Sequence, residues 1–353
     1  MRKPIVLFIP KRREDFDPIK HNTNGLSTGL FNSATFMVNM LTSYGIDARL
    51  EVAIDNNCID RLVTKHNPTH VIIEALWVVP SKFIILSKLH PTVKWIIRLH
   101  SELPFLAGEG MAMNWLGDYA DYPNIYISAN APRMLEETRT YIRIKKQWTY
   151  ERVNEKVFYL PNYYPQIYRT KKYEVNKEHI DIGCFGALRP LKNHLTQAIA
   201  ALKFAEHIDK KLHFHINDGR VEMKGEAILN NLRDLFQGLY DQGHRLISND
   251  WTPRDQFLEL CGKMDIGLQV SFSETFNIVG ADIISQCVPL VGSTEIPWID
   301  EAYTARAQYY DEIYRALLLT HQWPQQNVES NRGKLIDYTN HTRDIWLRYF
   351  RGE

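Results

Sequence analysis

Two basic residues stand in a turn between an apolar run and a helical pattern. Arg189 and Lys192 lie in GALRPLKNH (186–194), and the expected helix begins at Asn193. Cations beside a helix N-terminus suit a diphosphate, because free backbone N–H groups and the helix dipole favour negative charge there. Two solvated charges on a loop are the alternative interpretation, so this turn needs a second observation before it predicts a phosphate site.

Two carboxylates eight residues apart occupy a second turn, 271–293. Glu274 follows an apolar run, and Asp282 falls inside the next helical pattern. A carboxylate at a strand end can bind sugar hydroxyls, and one just over two helical turns further on can reach a ribose diol. The spacing alone is common by chance, but Phe276 and the apolar run 289–293 make the segment more specific.

The long polar turn at 10–36 ends with Gly25 and Gly29 before a helical pattern. Glycine lets the backbone approach a ligand closely, although a flexible surface loop explains the segment equally well. The turn lacks G-x-G-x-x-G, which disfavours a nicotinamide-dependent oxidoreductase. Asp15 and Asp17 form a D-x-D pair of a kind that is frequent by chance, and we predict no metal site.

Short apolar, β-branched runs alternate with amphipathic stretches along the chain, which predicts parallel sheets built from right-handed βαβ units. The expected strands are 5–9, 48–53, 70–76, 94–100, 125–128, 157–161, 180–186, 212–217, 244–248, 266–270 and 289–293. The expected helices are 30–44, 132–144, 194–207, 227–240, 253–263, 279–287, 306–321 and 332–350. The fold class is therefore α/β.

A polar, strand-poor segment at 162–179 divides the strands, which favours two doubly wound sheets over one. We expect an N-terminal Rossmann-like domain at 1–165, a second one at 166–330, and a C-terminal helix at 331–353. Ligands of open parallel sheets bind at the carboxyl ends of the strands, and two such sheets facing each other would form a central cleft.

Composition excludes several classes of protein. The 353 residues include 42 Lys and Arg against 41 Asp and Glu, so no global charge indicates nucleic acid or membrane. The apolar runs are too short to span a bilayer, and the N-terminal one is too short for a signal peptide. Four scattered cysteines without C-x-x-C argue against disulfides or structural zinc, and we expect a cytoplasmic protein.

Segment 271–293 resembles the signature of family 4 retaining glycosyltransferases, which have the GT-B fold. That signature reads roughly S-x-x-E-G-F-G, a second Glu eight residues after the first, and a G-x-P-V-V-x-S strand. The matching residues are Ser271, Glu274, Phe276, Asp282, Pro289, Val291 and Ser293. The departures are Thr275 and Asn277 in place of glycines, Asp282 in place of the second Glu, and Cys287 where glycine is usual.

The resemblance continues in the same order along nearly the whole chain. It is compatible with a viral or a bacterial member of the family. Gly186 and Lys192 match a G-R-L-x-x-x-K-G turn, in which Ala187 replaces the arginine and Arg189 is a candidate substitute. The other matching positions are Gly29, Gly45, a strand-ending His100, Asn162 of a P-N-G segment, and the last helix, expected to return to the N-terminal domain.

The resemblance implies a retaining hexosyltransferase that needs no metal and no cofactor. Glu274 would hold donor-sugar hydroxyls, Asp282 the ribose, and Lys192 and Arg189 the leaving diphosphate, with UDP-hexose as the default donor. His100 would contact the transferred sugar or orient the acceptor. The remaining donor-binding candidates are Thr275, Phe276, Asn277, Ile278, Gly186, Gly29 and Trp251.

The acceptor stays open between a glycan, a lipid-linked sugar and hydroxymethylated bases of DNA. Segment 133–177 holds 11 Lys and Arg against 5 Asp and Glu, with interleaved aromatic residues, which suits a polyanion or a solvated surface. The acceptor-binding candidates are Lys11, Arg12, Arg13, Arg143, Lys145, Lys146 and Trp148. A non-catalytic nucleotide-sugar or polyanion-binding protein, a phosphorylase and an epimerase remain alternatives, and the oligomeric state is undetermined.

Overall fold

The structure is a computed structural model that describes residues 3–12, 28–169 and 177–352. These residues form two compact units. The N-terminal unit comprises 3–12, 28–165 and 339–352, and the C-terminal unit comprises 166–169 and 177–338. No helix within the described ranges is long and apolar enough to cross a membrane.

The N-terminal unit is built on a six-stranded parallel sheet in the order β2-β1-β3-β4-β5-β6. Its strands are β1 (Ile5–Pro10), β2 (Asp47–Leu50), β3 (His70–Glu74), β4 (Lys94–Arg98), β5 (Ile125–Ala129) and β6 (Val157–Tyr159). Its helices are α1 (Gly29–Ser43), α2 (Cys58–His66), α3 (Phe83–Leu89), α4 (Leu103–Leu106), α5 (Ala112–Ala120), α6 (Pro132–Lys146) and α7 (Tyr150–Lys156).

The C-terminal unit has a second six-stranded parallel sheet, ordered β12-β11-β10-β7-β8-β9. Its strands are β7 (His179–Gly183), β8 (Lys211–Asn217), β9 (Arg245–Asn249), β10 (Ile266–Gln269), β11 (Leu290–Ser293) and β12 (Thr304–Ala305). The helices are α8 (His194–His207), α9 (Gly225–Gln237), α10 (Arg254–Lys263), α11 (Ile278–Ser285), α12 (Tyr310–Gln322) and α13 (Pro324–Arg351), the last continuing into the N-terminal unit.

The strand period of two separates the faces of each sheet. Leu7 and Ile9 of β1 pack in one core cluster, whereas Val6 and Phe8 pack in another with Trp346 of α13. The end of α13 is fixed to the loop after β6, since Trp346 donates to the carbonyl of Pro161 at 2.9 Å. Residues of this helix from 339 onward therefore complete the core of the N-terminal unit.

The prediction of two doubly wound parallel sheets is confirmed, and each of the eleven expected strands has a counterpart. The two-residue β12 is too short to give a sequence pattern. Short helices α2, α3, α4, α5 and α7 were not predicted, because four to nine residues show little helical periodicity. Helix α13 begins at Pro324 rather than near 332, consistent with the preference of proline for the first turn.

Candidate functional site

Lys192 and Glu274 meet where the strand order of the C-terminal sheet reverses. Lys192 follows β7 and Glu274 follows β10, and these neighbouring strands continue to opposite sides of the sheet. Such a switch point is where open α/β sheets bind ligands. The Lys192 ammonium lies 2.5 Å from a Glu274 carboxylate oxygen, with side chains only 11% and 9% exposed. The structure thus brings together two residues that are 82 positions apart in sequence.

The shape of the turn that carries Lys192 depends on two residues with positive φ, Gly186 and Asn193, and on hydrogen bonds from the Asn193 side-chain amide. Gly186 has φ +114°, which only glycine adopts without strain, and its N–H donates to Asn217 at 3.2 Å. Asn193 is left-handed at φ 56°, and its amide donates to the carbonyls of Val270 and Ala307 at 3.2 and 2.7 Å. These bonds fix the loop before α8 to the chain that follows β10 and β12.

Asn277 stands where the glycosyltransferase signature has a glycine. Its φ is 59°, in the left-handed region where asparagine is tolerated better than most residues. Its side chain also caps α11, accepting from the Gly280 N–H at 2.7 Å, and donates to Gln269 at 3.2 Å. Asn277 thus adopts a conformation that glycine would also adopt, and its side chain in addition caps α11.

The residues flanking Asn277 are buried and held by their neighbours. Phe276 contacts the ring of Trp298, whose indole N–H donates to the Phe276 carbonyl at 2.6 Å. Thr275 is buried beside it, and Ile278 is the first residue of α11. The backbone after Glu274 is therefore held in place by buried packing and by the Trp298 hydrogen bond.

Asp282 lies on α11 and is 2% exposed. Its carboxylate forms an ion pair of 2.7 Å with Arg254, the first residue of α10. Burial, together with the Asp282 charge, raises the pKa of the neighbouring Cys261 thiol. The predicted ribose ligand thus has an internal cation partner that sequence reasoning did not identify, although Arg254 does stand at a helix start after β9.

Arg189 has an acidic partner of its own. Its guanidinium lies 3.5 Å from Glu222, which also binds Arg220. Arg220 in turn stacks over the ring of Trp251, 5.3 Å from its centroid. The structure therefore links Arg189 and Trp251 through a shared salt-bridge cluster, a connection that sequence spacing did not predict.

His194, at the first position of α8, is a buried histidine that sequence analysis passed over. It is 1% exposed, and neither ring nitrogen has a hydrogen-bond partner among the described residues. Burial lowers its pKa to about 3, assisted by the positive charges of Lys192 and Arg189. His194 is consequently neutral at physiological pH, and the positive charge of this turn resides on Lys192 and Arg189.

In the N-terminal unit, His100 belongs to a buried ionic network at the carboxyl ends of β3 and β4. Glu74 is fully buried and accepts hydrogen bonds from Arg98 at 3.0 Å and from the Nε2 of His100. Burial raises the pKa of Glu74, but the adjacent Arg98 and His100 outweigh it and hold the pKa below its usual value. Burial lowers the pKa of His100, so the imidazole is neutral beside a carboxylate.

Two asparagines extend this network. Asn162 accepts from Arg98 and, at 3.2 Å, from the Ser33 hydroxyl. The amide of Asn130 lies 3.4 Å from the Nδ1 of His100. Glu74 and Arg98 were detectable in principle, because each is a charged residue within an expected apolar strand, whereas the bond of Arg98 to Asn162 requires the folded chain.

The candidate residues of the first turn are only partly described. Gly29 begins α1, and Lys11 bridges to Ala53 directly after β1. The N–H of Arg12 donates to the Ala53 carbonyl at 2.6 Å. The remaining candidates of this turn lie outside the described residues: Arg13, Asp15, Asp17 and Gly25.

The basic end of α6 lies away from His100. The helix starts after the carboxyl end of β5 and runs back, so its last turn is at the amino edge of the sheet. There Lys146 binds Asp121 at 2.7 Å, and Lys145 contacts the Tyr141 hydroxyl at 2.9 Å. The other two candidates have aromatic or cationic partners: Arg143 stacks over Tyr150, and Trp148 lies beneath Arg152. The structure thus separates this group from the strand ends.

No protein-family model matches this chain, and no curated protein matches it significantly. Solved structures do match. HepE of Anabaena, in complex with UDP and glucose, is 11% identical with TM-score 0.63, over 99% of this chain and 100% of HepE. The UDP-forming α,α-trehalose-phosphate synthase of Burkholderia vietnamiensis is 10% identical with TM-score 0.66, over 99% and 97%. A glycosyltransferase of Rickettsia africae is 12% identical with TM-score 0.64, over 100% and 99%. These likenesses establish the GT-B fold with its two Rossmann-like units.

Proposed function

We propose that this protein is a family 4 retaining glycosyltransferase that moves a hexose from UDP-hexose to a hydroxyl acceptor, either a glycan or a lipid-linked sugar. The observation that carries the proposal is the buried Lys192–Glu274 pair at the switch point of the C-terminal sheet. The presence of UDP in the HepE structure and the UDP-forming activity named for the Burkholderia synthase support a uridine nucleotide as the donor.

In this proposal, Lys192 stabilises the negative charge of the leaving UDP diphosphate. As the bond between the anomeric carbon and the phosphate oxygen breaks, negative charge grows on the UDP diphosphate. A preorganised cation lowers the barrier most where charge develops, and Lys192 is only 11% exposed, so water screens it little. Arg189, at the start of the same turn, is proposed to add a second cation, and no metal ion takes part in this step.

Glu274 is proposed to orient both Lys192 and the donor sugar. In the structure its carboxylate holds the Lys192 ammonium. With donor bound, we propose that its second oxygen accepts from sugar hydroxyls while the diphosphate shares Lys192. The acceptor oxygen then bonds to the anomeric carbon from the same face as the departing phosphate, and the acceptor proton passes to the leaving phosphate oxygen, which retains the anomeric configuration.

The other donor contacts follow from the folded backbone. Thr275, Phe276 and Asn277 form the buried turn after Glu274, and their N–H groups are proposed to face the donor sugar. Asp282 is proposed to accept from the ribose diol while Arg254 holds the carboxylate in place through their ion pair. Trp251 is proposed to lie near the uracil base.

The acceptor is assigned to the N-terminal unit. His100 is neutral, held by Glu74 and Asn130, and its side chain is 13% exposed. A neutral imidazole fixed in this way suits a hydroxyl more than a phosphate. The cations at the end of α6 already have partners on their own chain, so they give a DNA acceptor no support beyond their charge.

The test is turnover by the full chain with UDP-glucose and a panel of sugar acceptors, measured as UDP release and as the anomer of the product by NMR. Lys192→Met is expected to lower kcat by roughly 10²–10³, the magnitude for loss of one preorganised charge-stabilising group. Lys203→Met is the matched control, since that exposed lysine lies on α8 and stacks over Tyr314.

An inverted product would refute the retaining mechanism, and equal kcat values for the two lysine variants would refute the role of Lys192. UDP release that needs inorganic phosphate instead of a sugar acceptor would indicate a phosphorylase.

A further inference from the structure

A second cluster of ligating side chains lies in the C-terminal unit, at the opposite edge of the sheet from Lys192. His179 is the first residue of β7, and His213 lies near the start of the neighbouring β8, paired in register with Asp181. These positions alternate with Ile180 and Ile182, which pack in the core. His179, Asp181 and His213 therefore project from one face of the sheet, and their ligand atoms lie within 4.8 Å of one another.

We propose that His179, Asp181 and His213 form a binding site for a divalent transition-metal ion, with Zn²⁺ as its representative. Two imidazoles and one carboxylate are a ligand set of zinc sites that keep an open position. Imidazole also selects for zinc, copper or nickel over magnesium, which prefers oxygen. This site is independent of the proposed glycosyl transfer, because β7 separates it from the turn that carries Lys192.

The distances fit such an ion. The Nε2 of His179 and the Nδ1 of His213 each lie 3.4 Å from an Asp181 oxygen. Zinc–ligand bonds of about 2.0–2.1 Å in tetrahedral geometry place neighbouring ligand atoms about 3.3 Å apart. The two rings are stacked at 4.0 Å and 17°, so both must turn about χ2 to aim at one point. That torsion is soft, and the side chains are 36% and 27% exposed.

Neighbouring groups support Asp181 as a ligand. The Nε2 of His215 lies 3.0 Å from an Asp181 oxygen, and the Asp181 N–H donates to Asp265 at 2.9 Å. Groups in this outer position orient a ligating carboxylate.

Lys177 competes with a metal for this carboxylate. Its ammonium lies 3.2 Å from an Asp181 oxygen and 3.6 Å from Asp265. A bound dication would repel it, and Asp265 would remain its partner. Removing the Lys177 charge should therefore tighten metal binding, whereas a lysine whose only role is to stabilise the cluster would produce no such gain.

The experiment is calorimetric titration of Zn²⁺ into the full chain, with metal analysis after dialysis and Mg²⁺ as the comparison ion. We expect one Zn²⁺ per chain and no Mg²⁺ binding. His179→Asn and His213→Asn should each weaken Zn²⁺ binding by about 100-fold or more, since even outer-shell changes cost 10–100-fold. Lys177→Met should strengthen it.

His90→Asn is the matched control, because His90 pairs with Asp60 at 2.8 Å in the N-terminal unit, away from this cluster. It should leave Zn²⁺ affinity unchanged. Circular dichroism checks the fold of every variant, and if one of the two ligand variants fails to fold, the other decides the outcome. Absence of stoichiometric Zn²⁺ in the wild-type chain, or equal affinity in the ligand variants and the control, would overturn the proposal.

Discussion

Replacing Glu74 by glutamine tests whether Glu74 is the buried counter-ion of Arg98 in the network around His100. The substitution keeps the shape of the side chain and removes its charge. Arg98 is fully buried and lies 3.0 Å from Glu74, so its guanidinium would lose its buried counter-ion. Breaking a buried ion pair in this way costs about 3–5 kcal/mol.

The loss should be visible in thermal unfolding. At about 2–4 °C per kcal/mol for a unit of 150–250 residues, the transition should fall by roughly 6–20 °C. Glu51→Gln is the matched control, because Glu51 binds Lys65 and His66 in a partly exposed cluster. An exposed pair of that kind contributes about 0–1 kcal/mol.

Equal stability of the two variants would refute the assignment of Glu74 as the counter-ion of Arg98. The double variant Glu74→Gln/Arg98→Gln gives an independent check. It removes the uncompensated charge, so it should be less destabilised than the sum of the two single variants.

Two further predictions concern the C-terminal unit. His194 has a folded pKa of about 3, below its unfolded value of about 6.5, so the unfolded state binds the proton first and stability falls as pH drops below 6.5. By pH 4.5 the lost free energy of unfolding amounts to about 2.7 kcal/mol. In denaturant titrations, His194→Gln should reduce the loss of stability between pH 6.5 and 4.5 by that amount. An unchanged pH dependence would refute the low pKa of His194. Asn277→Ala should cost about 2–3 kcal/mol from left-handed strain and the lost cap, whereas Asn277→Gly should cost well under half as much, since glycine adopts the same φ. Equal losses in chemical denaturation would contradict the strain argument.

The fold was largely predictable because most strands carry consecutive or alternating apolar residues, as in IVLFIP of β1 and KLHFHIN of β8, and polar turns separate them. The turns of Lys192 and Glu274 were predictable for a related reason, since parallel sheets collect their ligands at strand ends. Their contact was not, because it depends on β7 and β10 being neighbours, which sequence order does not reveal.

Other features required the folded backbone. The suitability of Asn277 rests on a φ angle, and the partner of Asp282 is Arg254, 28 positions earlier on another helix. The position of the basic end of α6 also required the fold: its last turn lies at the amino edge of the sheet, where Lys146 binds Asp121 and Lys145 contacts the Tyr141 hydroxyl. Charge counts along a sequence do not show which edge of a sheet carries the charge.

The most direct test of the proposed donor site is calorimetric binding of UDP, GDP, ADP and NAD to the wild-type chain, Lys192→Met and Lys203→Met. We expect UDP alone to bind well, with its affinity lowered by Lys192→Met and unchanged by Lys203→Met. Binding of no nucleoside diphosphate by the folded protein, or UDP affinity that does not depend on Lys192, would contradict the assignment of the Lys192–Glu274 pair as a nucleotide-sugar site.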